Sequence, residues 1–303
     1  METYCQTSLI TINYNGLDDT CELLATLPLD EPALEVIVVD NASRNDEASV
    51  IEQRYPQVRV IRSRQNLGFA GGNNLGIRAA RGKYLFFVNN DTLTTVVAGP
   101  AAAGSRPWTL QPLIDRLESS ARIGAVCPKI RFAWGSHPIQ YAGYTPLSAV
   151  TMRNRSIGFG EEDHGQHDTP HPTPYAHGAA MLVKREAIER AGLMPECYFL
   201  YYEELNWSMM LRRAGYEIWV EPAATIYHKE SQSTGQESAL RTYYITRNRL
   251  LFARRNITGG ERWLTYLYLA LLAGTKDVAK YLLHGRCDLA KAVVRGIAHF
   301  VKT

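Results

Sequence analysis

Apolar runs that stop abruptly on polar residues constrain this chain more than any other feature. "ALEVIVVDNAS" is almost continuously apolar until Asp40, and "KYLFFVNND" until Asn89, Asn90 and Asp91. Such runs suit strands buried on both faces, as in a parallel sheet covered by helices. Upstream, "SLITINYNG" (Ser8–Gly16) alternates and is rich in β-branched residues, which predicts another strand. A helix fits roughly from Asp18 to Leu27, "VRVIRS" reads as a short strand, and "GGNNLGIRAARG" as a helix ending at Gly82. The resulting β-α-β-α-β order predicts an α/β fold with a mainly parallel sheet flanked by helices.

Sheets of this kind bind ligands at the carboxyl ends of their strands. Tyr14-Asn15-Gly16, Asp40-Asn41-Ala42-Ser43 and Asn89-Asn90-Asp91 all fall there. Taken singly, each also reads as a plain turn, because Asn, Asp, Ser and Gly are turn residues.

The second half is less regular. Ala98–Pro107, "AGPAAAGSRP", reads as a mobile loop, and "LQPLIDRLESS" as a helix. "IGAVCPKIRF" and "WGSHPIQYAGYTP" predict strands and turns. "GEEDHGQHDTPHPTPYAHG" predicts a solvated loop. Its His164, His167, His171 and His177 lack a regular spacing, which disfavours a metal site. "GAAMLVKREAIERAG" passes from strand to helix. An acidic helix start at Glu203-Glu204, a stop at Gly215 and a strand ending near His228 follow. The five cysteines contain no C-x-x-C pair, a reduced, cytosolic pattern without structural zinc. No cationic stretch precedes an apolar core near Met1, so no secretory signal is expected.

In this order, "SLITINYNG", "VIVVDNAS", "NLGFAGGNNLGIRAARGKYLFFVNNDT", "GAAMLVKREAIERAGLM", "YYEELNWSMMLRRAGY" and "IYHKES" resemble inverting glycosyltransferase family 2, over roughly residues 6–255. The likeness is greatest to rhamnosyltransferase-like members that build bacterial cell-surface glycans. The resemblance implies a GT-A nucleotide-diphospho-sugar transferase fold with a C-terminal helical tail. Residues 1–97 would be the nucleotide-binding half, 108–239 the acceptor-binding half, and 240–303 the tail. Asp40 resembles the acid that contacts base or ribose; it also suits an Asx-turn with Asn41 and Ser43. Asn13, Tyr14, Asn15, Asn66 and Asn74 join it as donor-binding candidates.

Asn89-Asn90-Asp91 stands in the place of the family's D-x-D motif, so Asp91 is the expected ligand of a divalent metal, Mn²⁺ or Mg²⁺, with His228 assisting. Asn89 replaces an acid there and contributes an oxygen without charge. Glu203-Glu204 matches the family's E-D motif. Glu204 falls at the base that deprotonates the acceptor, with Glu203 beside it, and the helix dipole would favour its charged form. Asn206 departs from a further Asp, and helix capping is the alternative role for these acids. Arg247 and Arg249 suit either a diphosphate or a solvated face, and Gly178 either close approach to a sugar or a turn.

The implied activity is inverting transfer from a deoxythymidine- or uridine-diphospho sugar to a glycan or lipid-linked acceptor. Competing readings are a sugar-nucleotide-forming nucleotidyltransferase and a non-catalytic glycan-binding relative. The acidic "NYNGLDD" after the first strand argues against the former. A dehydrogenase lacks its G-x-G-x-x-G, and "GGERW" lacks the Gln of the processive synthases' Q-x-x-R-W motif.

Charge matters most in the tail. From Leu240 onward there are twelve Lys or Arg against three acids, so the tail carries +9 and the rest of the chain −6. Trp263–Gly274 is apolar for fewer than the roughly 20 residues that span a bilayer. Leu289, Val293, Ile297 and Phe300 recur at helical spacing, opposite Lys291, Arg295 and Lys302. That pattern predicts a helix lying in the headgroup region, at the inner face of the cytoplasmic membrane. Packing on the catalytic domain and a homodimer contact are the alternatives. Nucleic acid has no use for the apolar stripe and is not an expected partner.

Overall fold

The computed structural model describes residues 6–95, 108–230 and 238–302; the Ala98–Pro107 loop reading lies outside them. The first half runs β1 (Thr7–Asn13), α1 (Leu17–Ala25), β2 (Leu34–Asp40), α2 (Glu47–Arg54), β3 (Arg59–Arg62), α3 (Gly68–Ala79), β4 (Tyr84–Val88) and β5 (Thr92–Leu93). The second half runs α4 (Gln111–Glu118), β6 (Ile123–Phe132), β7 (Ile139–Tyr141), β8 (His171–Pro172), β9 (Ala180–Lys184), α5 (Arg185–Ala191), α6 (Glu203–Arg213) and β10 (Glu217–His228). The tail is helical: α7 (Ala239–Asn256), α8 (Gly259–Leu267), a π-helical segment (Tyr268–Ala273), α9 (Gly274–Leu283) and α10 (Cys287–Lys302).

One sheet takes the order β3-β2-β1-β4-β9-β6-β10-β5, with β7 on β6 and β8 on β10. Along that path only β9 and the short β5 run against the others. The expected mainly parallel α/β sheet is therefore present. The continuous apolar runs are buried: Val36–Val39 in β2 and Tyr84–Val88 in β4 are covered on both faces. Trp207 of α6 is fully buried against Phe87, with ring centroids 5.4 Å apart, and its indole N–H donates to the Gly192 carbonyl. At Gly76 an added Cβ would lie 2.4 Å from Ile10 Cγ2, so only glycine lets α3 approach β1 this closely.

Several elements depart from the sequence expectation. α2 was not foreseen. It is two turns long and buries little apolar surface beyond Ile51, while Asp46 caps it by accepting from the Ser49 amide. α3 starts at Gly68, before the expected "GGNN". β10 departs from regular pairing, its register jumping between Glu221 and Thr225, a bulge containing Pro222 that re-aims the strand's last residues. In the tail, the expected membrane stripe is covered. Leu289 and Val293 are buried and Gly296 meets the α7 backbone, while Ile297 and Phe300 are partly buried against the second core. Packing, the alternative reading of that stripe, is what the fold adopts. α7 and the π segment share this second core, including Leu250, Phe252 and Leu269, with Tyr198, Tyr202 and Leu205.

Candidate active site

Strand ends converge on a cavity of about 1120 Å³. Its walls include Tyr14, Asn41, Asn66, Gly68, Phe69, Asn89, Asn90, Asp91, Trp134, Gln140, Tyr144, His177, Phe199–Tyr201, His228 and Lys229.

The floor is built by pairing β5 with the end of β10, which sets Thr92 opposite His228. Asp91 and His228 are both buried, and a carboxylate oxygen of Asp91 lies 3.2 Å from His228 Nε2. Adjacent positions of an octahedral ion with bonds of about 2.1 Å are about 3 Å apart, so this spacing fits two donors to one divalent cation. Among the described residues no three His, Cys, Asp or Glu side chains cluster as a metal site. A cation here would complete its shell from diphosphate oxygens and water, as Mg²⁺-like ions commonly do. Lys229 follows His228 in the wall and is paired with Asp19 (2.8 Å) and Glu22. The sequence reading missed it.

The nucleotide-side candidates divide. Tyr14, 45% exposed, lines the cavity with Asn66, Asn89 and Asn90. Asp40 does not. It accepts from Asn13 Nδ2 (3.0 Å), Ser43 Oγ (2.5 Å) and the Ser43 amide, which gives it the Asx-turn contacts. Asn13 is fully buried and also donates to Glu47, while Asn15 Oδ1 accepts from the Arg44 amide. Asn74 lies away from the cavity, exchanging hydrogen bonds with the Met194 backbone and donating to Glu196. Asn41, of the strand-end group Asp40–Ser43, does line the wall; it bonds Asn66, the Gly68 carbonyl and the Leu67 amide and so fixes the start of α3.

The opposite wall has a different construction. Phe199, Tyr201 and Tyr202 all hold positive φ, at 67°, 68° and 75°. Side chains rarely adopt that region, and such strain persists only where the surroundings fix it. Asn248 fixes it: its buried amide reaches the carbonyls of Tyr198, Leu200 and Tyr201 at 2.8–3.1 Å. Arg247 reinforces this brace by donating to the Cys197 and Tyr198 carbonyls, and it does not line the cavity. Arg249 donates to the Tyr202 hydroxyl. Gly68, at φ +70°, meets the same segment; a Cβ there would stand 2.2 Å from the Phe199 carbonyl oxygen.

The braced segment delivers Glu203 and Glu204 at the start of α6. Neither lines the cavity directly. Glu204 is half-buried against Gly178, where an added Cβ would be 3.6 Å from Glu204 Cγ and 3.8 Å from Phe69 of the wall. Burial pushes the Glu204 carboxyl up to about 7. Burial, then the charge of Glu204, holds Glu203 well above the usual carboxylate range, and its Oε2 has no hydrogen-bond partner among the described residues. The expected preference of the helix dipole for charged acids is thus outweighed by desolvation. Asn206 accepts from Tyr198 and Asn256, a bracing role.

His177 corrects the solvated-loop expectation. It is a half-buried wall residue, stacked on Tyr144 and accepting from the Ala179 amide. Burial, with His228 nearby, pushes it down to about 3, so it is neutral at ordinary pH.

The chain is similar to known glycosyltransferases. Residues 8–96 match glycosyl transferase family 2. The low-salt glycan biosynthesis hexosyltransferase Agl10 of Haloferax volcanii is 24% identical over 97% of this chain and 91% of its own length. The N-acetylglucosaminyl-diphospho-decaprenol L-rhamnosyltransferase of Mycobacterium tuberculosis is 26% identical over 76% of this chain and 78% of its own. Among solved structures, a Pyrobaculum calidifontis mannosyltransferase in complex with GDP-Man and Mn²⁺ superposes with a TM-score of 0.55 at 17% identity, covering 99% of this chain and 81% of that one. S. aureus TarS 1–349 in complex with UDP-GlcNAc does so at 0.51 and 14%, covering 98% and 92%. The chain has the GT-A fold and carries a glycosyl transferase family 2 domain over residues 8–96.

Proposed function

We propose that this enzyme transfers a hexosyl or deoxyhexosyl group from a nucleoside diphosphate to a hydroxyl of a lipid-linked glycan, with inversion, in bacterial cell-surface polysaccharide synthesis. The observation that carries the reading is the buried Asp91–His228 pair, 3.2 Å apart in the wall of a cavity that also holds Tyr14 and Asn66. A divalent cation, Mn²⁺ or Mg²⁺, held by that pair would neutralise the diphosphate as it leaves. Glu204 takes the proton from the acceptor hydroxyl as its oxygen bonds to the anomeric carbon. The bond from that carbon to the diphosphate oxygen breaks on the opposite face, and the nucleoside diphosphate departs with the electron pair. Deoxythymidine- and uridine-diphospho sugars are the proposed donors. Likeness to the mycobacterial rhamnosyltransferase favours a rhamnosyl group. The test is transfer from a panel of sugar nucleotides, with NMR of the product's anomeric centre; a retained configuration would overturn direct displacement.

A lipid-linked acceptor sets the enzyme at the inner face of the cytoplasmic membrane. Among the described residues no helix is long and apolar enough to cross a bilayer. With the α10 stripe covered, the proposed contact moves to α8 and the π segment. There Trp263 (63% exposed), Leu264, Leu267, Leu271 and Leu272 face outward, ahead of exposed Lys276 and Lys280 in α9. Leu267→Glu with Leu271→Glu should reduce co-sedimentation with anionic liposomes about tenfold or more, each buried Leu contributing on the order of 1.5–3 kcal/mol. Unchanged sedimentation would remove the membrane reading. A dimer through this face would appear instead as a halving of mass in the variant.

A further inference from the structure

We infer that Gln140 is a positioning residue that sets the tautomer of His228 and thereby aims an imidazole lone pair at the Asp91 carboxylate. The inference rests on the proposed metal reading of that pair and extends it to a residue the strand-end motifs do not contain. Gln140 sits in β7, is buried, and lines the cavity beside His228. Its side-chain carbonyl, Oε1, is 2.8 Å from His228 Nδ1. A carbonyl oxygen only accepts, so Nδ1 must carry the hydrogen. In a neutral imidazole the other nitrogen then presents its lone pair. That nitrogen is the one 3.2 Å from the Asp91 oxygen. An unprotonated nitrogen and a carboxylate at this distance repel each other, and a cation between them turns the repulsion into shared ligation.

The strand order explains how Gln140 reaches this place. β7 pairs with β6, which pairs with β10, so a residue of β7 faces the last residue of β10 from 88 positions away. Ser156 donates to the Gln140 backbone carbonyl (2.7 Å) and holds the short strand where it turns. Metal-binding histidines generally have their second nitrogen held by such an acceptor, and losing it typically costs 10–100-fold in metal affinity. With the amide turned round, its N–H₂ would face Nδ1, the hydrogen would sit on Nε2, and the pair would be a closed internal hydrogen bond.

The experiment uses the full-length enzyme. Long-range ¹H–¹⁵N spectra of ¹⁵N-histidine protein at pH 8, free of metal, read the tautomer. EPR of free Mn²⁺ in the presence of UDP reads the affinity. We expect the Nδ1–H tautomer for His228 in the wild type, and a 10–100-fold loss of Mn²⁺ affinity in Gln140→Met, which keeps the bulk without the acceptor. Gln140→Glu, whose carboxylate still accepts from Nδ1–H, should keep the tautomer and at least the wild-type affinity. An Nε2–H tautomer in the wild type, wild-type affinity in Gln140→Met, or a loss in Gln140→Glu would overturn the inference. Asp91→Ala separates the two levels. Lost affinity there with none lost in Gln140→Met leaves the metal reading standing and removes Gln140, whereas unchanged affinity in Asp91→Ala removes both. If Gln140→Met fails to fold, the wild-type tautomer and Gln140→Glu decide.

Discussion

The two walls of the cavity are made in opposite ways. On the nucleotide side, Asp91 immediately precedes β5 and His228 ends the bulged β10, and the antiparallel pairing of those two strands brings them together. On the acceptor side, Phe199, Tyr201 and Tyr202 hold left-handed backbone before Glu203-Glu204. Asn248 and Arg247 of α7 hold carbonyls of that wall in place. On the proposed reading, donor binding rests on the core of the sheet, and the position of Glu204 as base rests on the helical tail. Substitutions in one wall should leave the other's task intact.

The largest effect should come from Glu204→Gln, which removes the proton acceptor and keeps its size. kcat should fall on the order of 10²–10⁴-fold with donor affinity unchanged. In the wild type, the base works only when deprotonated. Since burial pushes Glu204 up to about 7, kcat should rise with pH through the neutral range and level off above it. A flat profile from pH 5.5 to 8.5 would remove Glu204 from that role.

Next in size is the brace. Asn248→Ala strands carbonyls of a buried segment, at about 1–3 kcal/mol for each group left unpaired. Denaturant unfolding should show a loss of that order, and kcat should drop while affinity for UDP with Mn²⁺ stays. If nucleotide affinity falls as far as kcat, the two walls are not independent.

The smallest effect concerns Glu203. Its folded-state carboxyl is held well above its unfolded value, so the native state binds more protons than the unfolded state. Stability from this group is therefore present at low pH and lost as pH rises above the unfolded carboxylate value. Glu203→Gln should raise Tm at pH 8 and leave it unchanged at pH 4, by scanning calorimetry. A lower Tm at pH 8 would mean that the charged carboxylate is stabilised after all.

The same contrast explains what the sequence made legible. The place of Asp91 at the edge of the sheet could be read because an apolar run ending in a polar residue is a local signal, and a parallel sheet turns such ends into one surface; a metal role for Asp91 and His228 came only from the resemblance to family 2. Asp40 shows the limit of that signal. It too ends a strand, yet Asn13 and Ser43 engage it in the turn that the residue types equally allowed. Asn74, within a matched motif, and Arg247, beyond the last of them, brace backbone instead of lining the cavity. Gln140 and Asn248 act on partners 88 and about 50 positions away, and nothing local marks them. His177 lies in a stretch whose Pro and His content suggests solvent, and only the stacking of Tyr144 on it reveals a wall. In the tail, periodicity found the apolar face of α10 and could not tell lipid from α7. A 3.6-residue stripe is the same for either partner.

Calorimetric titration of UDP in the presence of Mn²⁺, into the wild type, Asp91→Ala and Glu204→Gln, tests the division of labour most directly. The account predicts that Asp91→Ala loses Mn²⁺-dependent affinity by tenfold or more, roughly what the loss of a metal ligand implies. Glu204→Gln should bind as the wild type does while failing to transfer. Mn²⁺-dependent affinity preserved in Asp91→Ala, or lost in Glu204→Gln, would contradict it.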